Sequence, residues 1–183
     1  MPADRLTLLS GETSEEILER RAESLSLEAA EEDASDLVSM LLFRIGEERY
    51  AVLLADVREI FQEYVVTPIP CTPSYVLGVT NVRGEILSVT DSAQLMGIGK
   101  TIGPAGQRPP AIVVNREGVS TALVAEEIGD IVEVADAAIE PPVTIIDRTQ
   151  ATFIAGTVEV ADTMVGLIDV ARILEPVGSL DRH

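Results

Sequence analysis

Residues 75–96 and 153–174 align without a gap at a constant offset of 78. The pairs include Tyr75/Phe153, Gly78/Gly156, Val82/Val160, Val89/Leu167, Asp91/Asp169 and Ala93/Ala171. Each copy reads aromatic, strand, turn, strand, Asp, short helix. Chance matches of apolar type are common in β sequences, but both glycines and both aspartates fall in register, which makes duplication the better explanation. A glycine kept in a strand marks a close approach of backbone. An aspartate where a strand hands over to a helix stands at the N-cap position. The chain is therefore read as two related units.

The segments around the repeat are short apolar runs divided by turns. LVSMLLFRIG and ERYAVLLA flank Gly46-Glu47 as a hairpin. Val57, Ile60 and Phe61 recur at helical spacing and predict a short helix over Asp56–Phe61. Pro68, Pro70 and Pro73 then force an extended crossing. YVLGVTNV and GEILSVTD pair around Arg83-Gly84, with Asn81 as a turn residue. Residues 97–110 read as a Gly- and Pro-rich loop. AIVVN and VSTALVAEE form a hairpin around Arg116-Glu117-Gly118, and IGDIVEV is a further strand. Residues 135–150 read as a long connection, followed by TFIAGTVEV, TMVGLID and a helix over Val170–Leu174. Many short strands spaced by turns describe a mainly β fold, a sandwich or small barrels.

Aromatic residues make up 3% of the chain and Trp is absent, so the core must be built from Val, Ile, Leu and Ala. The net charge of −18, with Lys100 as the sole lysine, opposes binding to nucleic acid or to an anionic membrane surface. A basic patch on a partner protein is the natural complement. Cys71 is the single cysteine, which excludes an intramolecular disulfide and points to a reducing compartment. No signal-peptide pattern or membrane-length apolar run is present, so the expected location is cytoplasmic. Residues 1–36 carry eleven acids against three arginines, a net of −8, and read as an acidic N-terminal extension that is helical or disordered. Within it, Thr13 and Glu16 form a capping-box pattern. The organisation is then extension 1–36, domain 37–175 and tail 176–183.

Asp91 and Asp169 invite comparison with the shared-proton carboxylates of aspartic proteases. Neither Asp91-Ser92-Ala93 nor Asp169-Val170-Ala171 has the glycine that such a turn needs, so both are read as structural caps. Gly99-Lys100-Thr101 lacks the preceding glycine of a phosphate loop, since position 94 is Gln94. His183 is terminal and Cys71 stands alone, so no metal, cofactor or catalytic residue is assigned. What remains is the material of an interaction protein.

The run TPIPCTPSYVLGVTNVRGEILSVTD resembles the signature of the CheW chemotaxis coupling proteins. LLFRIGEERYAVLLADVREI and AIVVNREGVSTALVAEEIGDIVEV are similar to that family's two hairpin segments, and the resemblance covers residues 38–175. It implies two five-stranded β-barrel subdomains with short helices and no active site. It also implies an adaptor between the regulatory domain of a CheA-type histidine kinase and the cytoplasmic tip of a chemoreceptor, with a groove between subdomains taking receptor helices. Carried over by position, Val57, Glu59, Gly78 and Arg83 are the partner-binding candidates, with Arg83 paired to Glu59 and framing that groove. Asn81, Gly84, Asp91, Gly156 and Asp169 are structural candidates. Ser88-Val89-Thr90-Asp91-Ser92 departs from the family pattern by putting polar residues where apolar ones are usual. An alternative is a regulator of a pilus-motility or developmental pathway controlled by its acidic segment.

Overall fold

The structure, a computed structural model, describes residues 36–101, 103, 108–142 and 148–175. The chain divides into units 1–37 and 38–183, and the second carries the fold. The acidic extension, apart from Asp36, and the tail from 176 lie outside the described residues, as does any control exerted by them. Among the described residues ten strands form two five-stranded sheets. The first half of the chain supplies β1 (Leu37–Ile45), β2 (Glu48–Leu53), β3 (Val57–Phe61), β4 (Val76–Val82) and β5 (Glu85–Asp91), then helix α1 (Ser92–Leu95). The second supplies β6 (Ala111–Arg116), β7 (Val119–Val124), β8 (Glu127–Ala135), helix α2 (Arg148–Phe153), β9 (Ile154–Val160), β10 (Thr163–Ile168) and helix α3 (Val170–Leu174).

The sheet orders are β8-β1-β2-β10-β9 and β3-β6-β7-β5-β4. Each sheet thus takes a hairpin from one half of the chain and three strands from the other, so the two units interlock. The duplication extends to register. β7 runs parallel to β5 with Ala122 opposite Val89, and β2 runs parallel to β10 with Ala51 opposite Leu167. Asp91 N donates to Tyr75 O and Asp169 N to Phe153 O, both at 2.8 Å.

The exchange explains why the hairpin strands read as nearly continuous apolar runs: they are buried on both faces. Met40 and Ala51 turn toward Val158, Val165 and Leu167 inside one sheet. Their neighbours Leu41, Phe43, Tyr50 and Val52 turn the other way, into a central core with Ile112, Val114 and Leu123 of the opposite hairpin. Arg44 ties the exchange shut, donating to Glu126 at 2.8 Å and to Glu127 at 3.2 Å. The Glu127 and Glu126 hydrogen bonds raise the Arg44 pKa against the opposing effect of burial. Neither half contains a complete sheet. A fragment of residues 36–101 should therefore show no cooperative thermal transition alone and should regain one when mixed with residues 108–175. A cooperative transition in the isolated fragment would contradict the exchange.

Two expectations are corrected. Residues 57–61 are strand β3, preceded by a 3-10 turn over Leu54–Asp56, and not a helix. The helical spacing of Val57, Ile60 and Phe61 was overruled by pairing with β6, where a bulge between Val57 and Glu59 sets the register. The long connection 135–150 holds a 3-10 turn (Asp136–Ala138), a bridge from Glu140 to Thr157, and the start of α2. Consequently the strand expected to open at Thr152 opens at Ile154, and Phe153 ends a helix.

Candidate partner-binding site

Glu59 is carried on the edge strand β3, and Arg83 on the turn between β4 and β5. Arg83 Nε donates to Glu59 Oε2 at 2.9 Å, which is the pairing proposed from sequence. A second pair runs alongside, from Arg58 Nη1 to Glu85 Oε2 at 2.7 Å. The Arg83 side chain is 83% exposed and that of Glu59 20%, so the arginine stands proud on a half-buried anchor. Ile60 on β3 and Ile86 on β5 are 43% and 64% exposed.

The backbone of this turn is specialised. Val82 pairs with Glu85, leaving the two-residue loop Arg83-Gly84 with φ of 51° and 90°. Both values are positive, as a type I′ hairpin turn requires, and Gly84 meets that demand without a Cβ. Asn81 Oδ1 accepts from Gly84 N at 2.9 Å, the turn role assigned to it. Arg83 has no such licence, since the Cβ of an L residue at positive φ costs about 1 kcal/mol where Asn or Gly would cost little. The ion pair repays about 0–1 kcal/mol at this exposure. Arginine at this position is thus not explained by folding stability.

The other candidates fall elsewhere. Val57 is half-buried and packs against the central core. Gly78 (φ 142°) lies beneath the extended crossing, where Thr67 and Val79 exchange hydrogen bonds of 2.8 and 2.9 Å. A Cβ there would overlap the Thr67 carbonyl oxygen and lie 2.7 Å from its carbon. Gly156 occupies the matching place, where a Cβ would meet Glu140 O at 2.7 Å. A cleft of 240 Å³ between the halves is lined by Tyr75, Thr121, Phe153, Ile173 and Leu174 among others. Neither Glu59, at the middle of β3, nor Arg83, in the turn between β4 and β5, lines this cleft.

Asp91 caps α1, accepting from Ala93 N and Gln94 N, and Asp169 caps α3 through Ala171 N and Arg172 N. Asp91 is 1% exposed and also accepts from Gln94 Nε2, Thr101 N and Thr101 Oγ1, the last at 2.6 Å. Burial alone would push its carboxyl up. The Thr101 and Gln94 hydrogen bonds outweigh that and hold it below the usual carboxylate range. Thr101 was unreadable in sequence, lying in a stretch that looked like plain loop. Among the described residues no group of three or more His, Cys, Asp or Glu is placed to hold a metal ion, and no helix is long and apolar enough to cross a membrane.

Two interlocked five-stranded sheets, capped at matched positions and carrying an exposed charged turn, define a duplicated β scaffold. The chain belongs to the CheW-like domain family, whose model matches residues 39–177. It is 30% identical over 134 residues to the chemotaxis protein CheW of Rhizobium meliloti (strain 1021), covering 73% of this chain and 85% of that protein. Identity to the chemotaxis protein CheW of Helicobacter pylori (strain ATCC 700392 / 26695) is 26% over 161 residues, 87% and 94% of the two chains. The crystal structure of the scaffolding protein TtCheW from Thermoanaerobacter tengcongensis matches with a TM-score of 0.65 at 30% identity, covering 73% of this chain and 89% of that one.

Proposed function

We propose that this protein is a chemotaxis coupling adaptor that joins a CheA-type histidine kinase to the cytoplasmic tip of a chemoreceptor. Its mechanism is positional: it supplies binding energy and fixes geometry between the two without turnover. The chemotaxis relatives and the scaffolding structure support the adaptor role. The charged turn is assigned to the kinase regulatory domain and the cleft between the halves to the receptor helices, which would bury an apolar face there. The protein would act in the cytoplasm, drawn to receptor arrays through its partners.

The observation that carries the kinase assignment is Arg83, held exposed at φ 51° on a half-buried glutamate of the edge strand at a backbone cost that stability does not return. The test separates binding from folding. Arg83→Asn suits the turn better and should leave the melting temperature unchanged or raised. The same variant should weaken binding to the purified regulatory domain of a CheA-type kinase from the same organism by about tenfold, the loss of one charge-assisted contact. Calorimetric affinity equal to wild type would remove Arg83 from the interface.

A further inference from the structure

The duplication presents the same cross-strand row twice, and the two copies differ in composition. On the second sheet the row is Val79, Ser88, Thr121, joined through β4, β5 and β7. Ser88 Oγ and Thr121 Oγ1 lie 2.7 Å apart and satisfy each other. On the first sheet the equivalent row is Thr157, Gly166, Tyr50, joined through β9, β10 and β2. Gly166 lets Tyr50 and Ile154 pack close, since a Cβ there would meet Tyr50 Cδ1 at 3.2 Å and Ile154 Cδ1 at 3.3 Å, and Thr157 adds a hydroxyl where the other copy has Val79. A hollow of 520 Å³ is lined by all three residues.

Its polar groups are arranged to accept. Tyr50 OH donates to the Glu48 carboxylate, and Gln150 Nε2 donates to the same carboxylate at 3.1 Å. Burial and the Glu48 hydrogen bond push the Tyr50 phenol up, so it remains a donor at any physiological pH. Both neighbours spend donors on one oxygen of Glu48, Oε2, which leaves Oε1 able to accept. Thr157 is 2% exposed and its Oγ1 has no hydrogen-bond partner among the described residues, an uncommon state for a buried hydroxyl. The walls are apolar: Ile154 is 6% exposed within, and Met164 is 52% exposed at the rim. A group fitting this hollow has an apolar stem and a head that donates hydrogen bonds.

We infer that the hollow is a second protein-docking site, separate from the Arg83 turn, that receives an arginine or lysine side chain of a partner protein. The stem lies along Met164, Ile154 and the Tyr50 ring, in the way long basic side chains cover apolar surface. The head meets the Glu48 carboxylate and the Thr157 hydroxyl. Glu47 and Glu48 outnumber Arg49 at the lining, and the whole chain carries −18, so the surrounding field favours a basic segment and disfavours an acidic one.

The probe is the peptide acetyl-Ala-Leu-Arg-Leu-Ala-amide, titrated into the full-length isotope-labelled chain and followed by NMR, with the glutamate version of the peptide as control. The arginine peptide should shift the amides of Tyr50, Thr157 and Gly166, and the glutamate peptide should not. Glu48→Gln should weaken the interaction by about tenfold, in line with loss of a charge-assisted hydrogen bond. Thr157→Val should also weaken it, yet raise the melting temperature of the free protein, because it deletes a buried hydroxyl without a partner. Binding of both peptides alike, no localised shifts with the arginine peptide, or a lowered melting temperature for Thr157→Val would each overturn the inference. Arg83→Asn serves as the internal control and should leave the peptide shifts intact; their loss would place the binding on the turn instead.

Discussion

Gly78→Ala should destabilise the protein by about 3 kcal/mol, read as the denaturant midpoint at constant slope, combining a strained backbone with an overpacked contact. The residue sits at φ 142°, a conformation that L side chains rarely adopt, and its missing Cβ leaves room for the Thr67 carbonyl. That carbonyl is not free to retreat. It accepts from Val79 N at 2.9 Å, while Thr67 N donates back to Val79 O at 2.8 Å. These two bonds pin the proline-rich crossing against the edge strand β4, covering an edge that would otherwise be open to pairing with another chain. Gly84→Ala is the contrast. Its Cβ would meet nothing within 4 Å, so only the positive φ of 90° is penalised and the loss should be about 1 kcal/mol. Equal losses at the two sites would show that contact with Thr67 is not what fixes Gly78.

Asp91→Ala should cost about 3 kcal/mol and Asp169→Ala only about 1 kcal/mol, although the two residues are equivalent in the repeat. Both remove an N-cap. Only at Asp91 does the change also strand Thr101 N, Thr101 Oγ1 and Gln94 Nε2 around a buried gap. The pH dependence distinguishes the site further. The Asp91 carboxyl is held below its ordinary value in the folded state, so on acidification the unfolded chain takes up the proton first. Its contribution is complete above the unfolded value of about 3.9 and is lost as pH falls through the folded one. Wild-type stability should therefore drop steeply below about pH 4, and Asp91→Ala should flatten that drop. An unchanged acid limb would mean that Asp91 is not the group being titrated.

Much of this arrangement was legible before any coordinates. The offset of 78 carried the two glycines and the two aspartates, and the structure uses each pair for one purpose: close approach of a crossing strand, and capping of a helix. Arg83 and Glu59 could be paired by resemblance because the family's pattern places both. Other features were hidden for physical reasons. The helical spacing at residues 57–61 was genuine, but a five-residue segment gains more from ladder hydrogen bonds to β6 than from one helical turn. Thr101 looked like loop because nothing local announces that a buried carboxylate ten residues back will bind it. The hollow beside Thr157 was invisible because it arises from comparing rows across three strands, and rows require register.

Sequence alone determined that the chain is a duplicated, mainly β protein with an aliphatic core, a strongly acidic surface and two matched aspartate caps. These properties depend on composition and on spacing along the chain. Only the tertiary structure decided which half owns each strand. The hairpins β1–β2 and β6–β7 are apolar on both faces and cannot be satisfied within their own half, so each is buried between its neighbour's sheet and the shared core. That exchange also decides the site geometry. It sets Tyr50 and Glu48 beside Thr157, more than a hundred residues away in sequence, and leaves Arg83 exposed on a turn of the other sheet.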